Sequence, residues 1–297
     1  MKLMPTIAVV TNIDPEHLDH WSGGLPEIVD AFVNFMNKVP FYGCSVVCLD
    51  HPTVQASLPR IEKRYLTYGL SPQADYCASN LETVNGQVGF DVSFHGEAKG
   101  RVTLNMIGQH NVQNALAAIA VADEVGVDFE VAVRALGTFE GIGRRFEPKG
   151  EVGGIQVVDD YAHHPEELRA TLGAAREAFD RRVVVAFQPH RYSRTQNLMD
   201  EFATCFNASD VLLLTDIYAA SEDPIEGVTA DALAKVIRAH GHHDVTWVGS
   251  VDDAAKALSE RVEPGDLVIT CGAGNIYQAG EKLLDELKKN VFEKEGK

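Results

Sequence analysis

Four short polar runs stand out from the chain because each follows an apolar run of strand length: Asp159-Asp160-Tyr161-Ala162-His163-His164-Pro165, Gln188-Pro189-His190-Arg191-Tyr192-Ser193-Arg194, Asp216-Ile217-Tyr218 and Gly272-Ala273-Gly274-Asn275. In an open parallel α/β sheet, ligands bind in the crevice beyond the carboxyl ends of the strands, so polar residues concentrated there read as a functional rim. Arg191 and Arg194 stand three apart at the predicted mouth of a helix. Two guanidinium forks and a positive helix end suit a carboxylate or a phosphate. The alternative is a pair of solvated arginines that neutralise acids in an acidic protein, but Val183 to Phe187 deliver them to the rim. His163 and His164 lie on a strand-to-helix turn, with Pro165 at the first helical position and Glu166 and Glu167 in the first turn. Capping or a surface role accounts for such a pair in isolation; Asp159, Asp160 and Tyr161 beside it favour a site. Gly272-Ala273-Gly274 lets backbone approach a ligand, although G-x-G alone is a weak signal.

These runs need a scaffold, and the second half of the chain supplies one. Predicted strands at Ile155–Val158, Val183–Phe187, Val211–Leu214, Val245–Val248 and Leu267–Thr270 alternate with predicted helices at Pro165–Phe179, Thr195–Phe206, Thr229–His240, Val251–Arg261 and Tyr277–Leu287. Such alternation specifies a doubly wound parallel sheet. The Lys/Glu-rich tail after Lys288 reads as frayed.

The first half is less regular. Thr6–Val10 reads as a buried strand with almost nothing ahead of it, like a chain entered in its middle. A helix is predicted over Leu25–Met36 and another buried strand over Cys44–Leu49. From Arg60 to Met106 short alternating segments, with Asn85-Gly86 as a hairpin signal and Val88, Phe90, Val92 and Phe94 on one face, predict an antiparallel patch. Helices follow at Asn111–Val125, capped by Asn111 and stopped by Gly126, and at Asp128–Leu136. The glycine-punctuated segment from Gly137 to Pro148 reads as the domain boundary, giving domains 1–147 and 148–297.

The 297 residues suffice for two domains. A formal charge of −17 disfavours nucleic acid and anionic membrane as partners, so an anionic substrate must be met by a few placed arginines. Five cysteines without a C-x-x-C pair fit reduced thiols rather than a disulfide framework or a zinc site. No apolar stretch reads as a membrane span or a signal peptide, which points to a cytoplasmic protein. A dinucleotide fingerprint on a first strand and a G-x-x-x-x-G-K-[ST] loop are both missing. Asn12-Ile13-Asp14-Pro15-Glu16-His17-Leu18-Asp19-His20 collects oxygen and imidazole groups able to hold a divalent ion, and capping by Asp14 before Pro15 explains the spacing equally well.

Several separated motifs, in order, resemble the Mur ligases of peptidoglycan synthesis. Thr11-Asn12-Ile13 with His17-Leu18-Asp19, Gly108-x-His110-Asn111-x-x-Asn114, and Gly141-x-x-Arg144-Arg145-Phe146-Glu147 resemble the central domain and its hinge. The two long rim runs resemble the alanine-adding branch. The fold implied is α/β, a partial central ATPase domain followed by a doubly wound, Rossmann-like C-terminal domain. The resemblance implies an ATP-dependent, peptide-forming ligase that makes an acyl phosphate of UDP-N-acetylmuramate, which the amino group of L-alanine then attacks. By the same resemblance, His17 is a Mg2+ ligand, Asn111 and Asn114 contact adenine, and Arg145 and Asp160 contact phosphate and ribose of ATP. Tyr161, His163, Arg191 and Arg194 position L-alanine and the reacting carboxylate, with His190 beside them. The family's UDP-binding domain and G-x-x-G-K-T-T loop are missing, so the chain alone is expected not to ligate. Two other functions remain open: a recycling ligase that takes a tripeptide, from which the His190 to Arg194 segment differs, and a non-catalytic binding module derived from a ligase.

Overall fold

The computed structural model describes residues 3–15, 21–84 and 86–295, and the chain divides into two compact units, Met1–Glu140 and Gly141–Lys297.

The first unit is built on one six-stranded sheet in sequence order, β1 (Ile7–Val10), β2 (Cys44–Cys48), β3 (Tyr65–Gly69), β4 (Tyr76–Val84), β5 (Gln87–Phe94) and β6 (Glu97–Leu104). β1 to β4 pair in parallel and β4 to β6 antiparallel, so the predicted antiparallel patch is a continuation of the same sheet. Val88, Phe90 and Val92 are buried on one face, as their alternation requires. The strand predicted at Thr6–Val10 is buried on one side only: β1 is an edge, and Val9 is 41% exposed. Helices α1 (Gly24–Met36) and α2 (Pro52–Ser57) cover one face around Met36 and Val47. On the other face α3 (Gln109–Glu124) and α4 (Phe129–Thr138) pack around Phe90 and Leu116.

The second unit holds β7 (Glu147–Val152), β8 (Ile155–Asp160), α5 (Pro165–Ala178), β9 (Val183–Phe187), α6 (Tyr192–Asn197), α7 (Met199–Cys205), β10 (Val211–Thr215), α8 (Ala230–Ala239), β11 (Val245–Gly249), α9 (Val251–Arg261), β12 (Leu267–Cys271) and α10 (Tyr277–Glu295). The sheet order is β11-β10-β9-β12-β8-β7. Five strands are parallel; β7 joins antiparallel to β8 at the edge. β8, β9 and β10 send α5, α7 and α8 onto one face, over Phe187, Phe202 and Phe206, while α9 and α10 cover the other. Because β12 returns between β9 and β8, its exit turn lies between the turns leaving its neighbours, which run to the opposite face. That reversal opens the crevice in which ligands bind.

Three details depart from the sequence expectations. The single helix predicted at Thr195–Phe206 is two short ones, because Leu198 leaves helical backbone and packs on the core. α10 continues to Glu295, past the point where fraying was predicted. β7 was not predicted. All five cysteines carry free thiols. Among the described residues no helix is long and apolar enough to cross a membrane.

Candidate active site

In the second unit the exit of β8 is stiffened from within. Asp160 is buried, and its carboxylate accepts from the backbone N–H of Ala162 at 2.7 Å and of Phe146 at 2.9 Å. Burial raises the pKa of this carboxyl, and the two amides oppose the rise. Both oxygens thus shape the turn. Asp159, fully buried, accepts from Thr270 Oγ1 at 2.7 Å and from Arg144 Nε at 2.8 Å. Arg144 also donates to the carbonyls of Gly272 (2.6 Å) and Gly274 (3.1 Å), and its guanidinium lies 5.0 Å from the ring centres of both Tyr161 and Tyr277. One side chain therefore ties the β8 and β12 exits together. Arg144 and Phe146 hold left-handed backbone, at φ 60° and 48°, a strain of about 1–3 kcal/mol each that those bonds offset.

The start of α5 is set by Glu167, which accepts from the backbone N–H of His163 (3.0 Å) and of His164 (3.2 Å). Burial would raise this carboxyl; the two amides, His163 and Arg145 hold it below its usual range. His163 Nδ1 is 2.9 Å from the Tyr161 carbonyl and 3.4 Å from Glu167 Oε2. A carbonyl only accepts, so Nδ1 carries a hydrogen. Arg145 lies over Tyr161 at 5.7 Å and reaches Glu167 at 3.4 Å.

At the exits of β9 and β10 the backbone zips: Tyr218 N–H donates to Pro189 O and Arg191 N–H to Tyr218 O, each at 2.8 Å. His190 stacks flat on Tyr218, 5.4 Å between centroids, and meets His163 edge-on at 5.8 Å. Its Nδ1 is 3.3 Å from Arg194 Nη1, which can only donate. Burial, His163 and the two neighbouring arginines push the pKa of His190 down to about 4, so the ring is neutral near pH 7. The β12 turn closes the group through Gln188, whose Oε1 accepts from Asn275 N–H (3.0 Å) and whose Nε2 donates to Asn275 Oδ1 (3.1 Å). A Cβ on Gly274 would lie 2.2 Å from Gln188 Oε1, so any larger residue there would displace the Gln188 side chain.

Tyr161, His163, His190 and Arg194 thus form one continuous group. The positive end of α6 is not open to a ligand, contrary to the sequence expectation: Glu222, from the loop after β10, accepts from Ser193 N–H at 3.0 Å and from Ser193 Oγ at 2.6 Å. Arg191 points to the same carboxylate at 3.7 Å and is half exposed.

In the first unit α3 starts at Gly108, at φ 93°. The cap predicted at Asn111 is therefore Gly108, since only glycine holds this conformation at low cost. Asn111 sits in the first turn and donates Nδ2 to Ile107 O at 2.8 Å; Asn114 is exposed three residues on. Between them Gln113 donates to Asp50, which also accepts from the backbone of Leu70 and Ser71. His17 lies outside the described residues. Among those described, no group of three His, Cys, Asp or Glu residues is arranged to hold a metal ion.

Sequence reasoning quoted Arg144 and Gln188 within motifs without giving either a role, and it missed Glu222. Arg144 stands beside the residue that was chosen, and only the turn it plugs distinguishes the two.

The middle-domain profile of the Mur ligases matches residues 1–122, and the profile for the Mur ligase glutamate ligase domain matches residues 144–274. The chain belongs to the Mur ligase family. This Mur ligase chain is 55% identical over 288 residues to a UDP-N-acetylmuramate--L-alanine ligase of Anaeromyxobacter, an alignment that covers 97% of the chain and 62% of the relative. Against the ligase of the same description from Geobacter sulfurreducens it is 53% identical over 290 residues, covering 97% and 63%. It superposes on the crystal structure of the UDP-N-acetylmuramate-alanine ligase MurC from Thermotoga maritima with TM-score 0.79 at 24% identity, over 97% of this chain and 61% of that one. The Mur ligase chain spans just under two thirds of the length of the curated relatives it matches.

Proposed function

We propose that this chain belongs to an ATP-dependent ligase that joins L-alanine to UDP-N-acetylmuramate, and that it contributes the adenine-contacting and amino-acid-positioning parts. The group formed by Tyr161, His163, His190 and Arg194 carries this proposal, supported by the function that relatives at about 55% identity bear. Arg191 and Arg194 supply the two guanidinium forks for the carboxylate of the incoming amino acid. His190, neutral and accepting from Arg194, holds that fork without adding charge. In its neutral form His163, oriented by the Tyr161 carbonyl and by Glu167 behind Nδ1, offers Nε2 to the proton that the amine loses as it attacks. Nitrogen then bonds to the activated carboxyl carbon and phosphate departs.

ATP, when bound, supplies the phosphoryl group that activates the muramate carboxylate. Asn111 and Asn114 fit its adenine: one carboxamide is anchored through Nδ2 and presents Oδ1, and the other is open to solvent. Arg145, half exposed beside Tyr161, suits phosphate. Asp160, with both oxygens on backbone amides, serves as the clamp of the turn beside that site. Mg2+ binding at His17 rests on the family resemblance.

The test is acceptor-dependent phosphate release by the natural gene product that contains this chain, supplied with ATP and UDP-N-acetylmuramate. L-alanine should drive turnover. Preference for a tripeptide would assign the recycling reaction, and ATP binding without any acceptor-dependent release would assign a binding module.

A further inference from the structure

Glu222 comes from the loop after β10, whose Tyr218 stacks on His190, and it meets the arginine segment at three points of its own. Its carboxylate takes the Ser193 amide and hydroxyl and lies 3.7 Å from Arg191 Nη1. The backbone at both ends of that contact is unusual. Ala220 and Ser221, directly before Glu222, hold φ 48° and 70°, and Arg191 itself holds φ 71°. Left-handed backbone at a residue other than glycine costs about 1–3 kcal/mol each and persists where the surroundings over-determine it. Here the turn closes through Glu222 N–H to Ala219 O at 3.0 Å, and Tyr218, at its base, is pinned to Arg191. Burial would raise the Glu222 carboxyl, but the Ser193 bonds and Arg191 hold it low, so it is ionised at neutral pH.

We propose that Glu222 is a positioning residue: through its carboxylate it fixes the Arg191 guanidinium in the orientation that receives the amino-acid carboxylate. A half-exposed arginine samples many rotamers, and ordering it in advance removes that entropy cost from the binding step. Glu222 also accepts from the Ser193 amide and hydroxyl in the first turn of α6, which fixes its own carboxylate beside Arg191. This inference rests on the amino-acid-binding role proposed above.

The experiment compares Glu222→Gln with wild type in the natural gene product, in both the wild-type and Arg191→Ala backgrounds, and measures KM for L-alanine, KM for ATP, kcat and thermal unfolding. Glu222→Gln should raise KM for L-alanine by up to about fivefold, the upper end for one partly exposed ion pair. KM for ATP and kcat should hold within about twofold. In the Arg191→Ala background the same change should have no further effect on KM. Glu222→Asp, which keeps the charge but withdraws it by one methylene, should show the same pattern at smaller size and serves if the Gln variant does not fold. An unchanged KM, an equal rise without Arg191, or a fall in kcat matched by lost thermal stability would overturn the proposal. If wild type ignores L-alanine, the functional assignment fails separately, and the same comparison is made with the acceptor it does use.

Discussion

Replacing Arg144 by Ala should be among the most damaging single changes in the second unit, although its neighbour Arg145 carries the proposed ligand contact. The guanidinium holds three partners at 2.8, 2.6 and 3.1 Å and fills the space between two tyrosine rings. Its removal leaves Asp159, with none of its surface exposed, bound only to Thr270. Stripping a buried charge of its partner costs about 3–5 kcal/mol. The orphaned carbonyls of Gly272 and Gly274 face the rim and can turn to water, so they add little, and the expected loss is about 4 kcal/mol. At roughly 2–4 °C per kcal/mol for a domain of this size, the unfolding transition of the second unit should fall by about 8–16 °C. Differential scanning calorimetry of the whole chain resolves that transition. If the buried charge is the cause, Asp159→Asn in the Arg144→Ala background should recover roughly half of the loss, because a neutral amide is cheaper to leave with one partner. A loss below about 1 kcal/mol, or a double variant less stable than Arg144→Ala, would refute the account.

Other expectations follow from the same geometry. His190 should titrate near pH 4 in an NMR pH series rather than near 6.5; because its folded-state pKa is depressed, the stability it contributes is present above pH 6.5 and lost as pH falls toward 4, and His190→Gln should remove that part of the acid sensitivity. A titration near 6.5 would disprove the burial argument. Gly274→Ala should destabilise the second unit, and Gln188→Ala should partly rescue it, since the added Cβ meets Gln188 Oε1 first; melting curves of the three variants decide it. Asp160→Ala leaves the Ala162 and Phe146 amides without an acceptor at about 1–3 kcal/mol each, before any effect on ATP. Hydrogen exchange at those two amides should rise while that at β10 stays put.

The parallel strands of the second unit were legible because Val183–Phe187, Val211–Thr215 and Leu267–Cys271 are buried on both faces and so read as unbroken apolar runs. β7 was not, since Glu-Pro-Lys-Gly-Glu-Val has neither alternation nor β-branched enrichment and is held by backbone pairing to β8. The rim was legible as a list of residues but not as a network. Glu222 lies 29 residues from Ser193, and Arg144 lies 130 from Gly274, distances over which no local pattern reports a bond. Asn111 shows the opposite failure: a good capping type was assigned the cap, while the backbone conformation gave that place to Gly108.

The position of β12 also orders events during synthesis. β8 and β9 are consecutive strands of this sheet but do not pair with each other; among the described residues it is β12, about eighty residues further along, that is bonded to both. Until it arrives, β9, β10 and β11 can form one ribbon and β7 with β8 another, and Arg144 and Gln188 have no turn to grip. The contacts that join the β8, β12 and β9 exits therefore form last. A nascent chain stalled before Leu267 would present two unsatisfied strand edges to any chaperone that reads them.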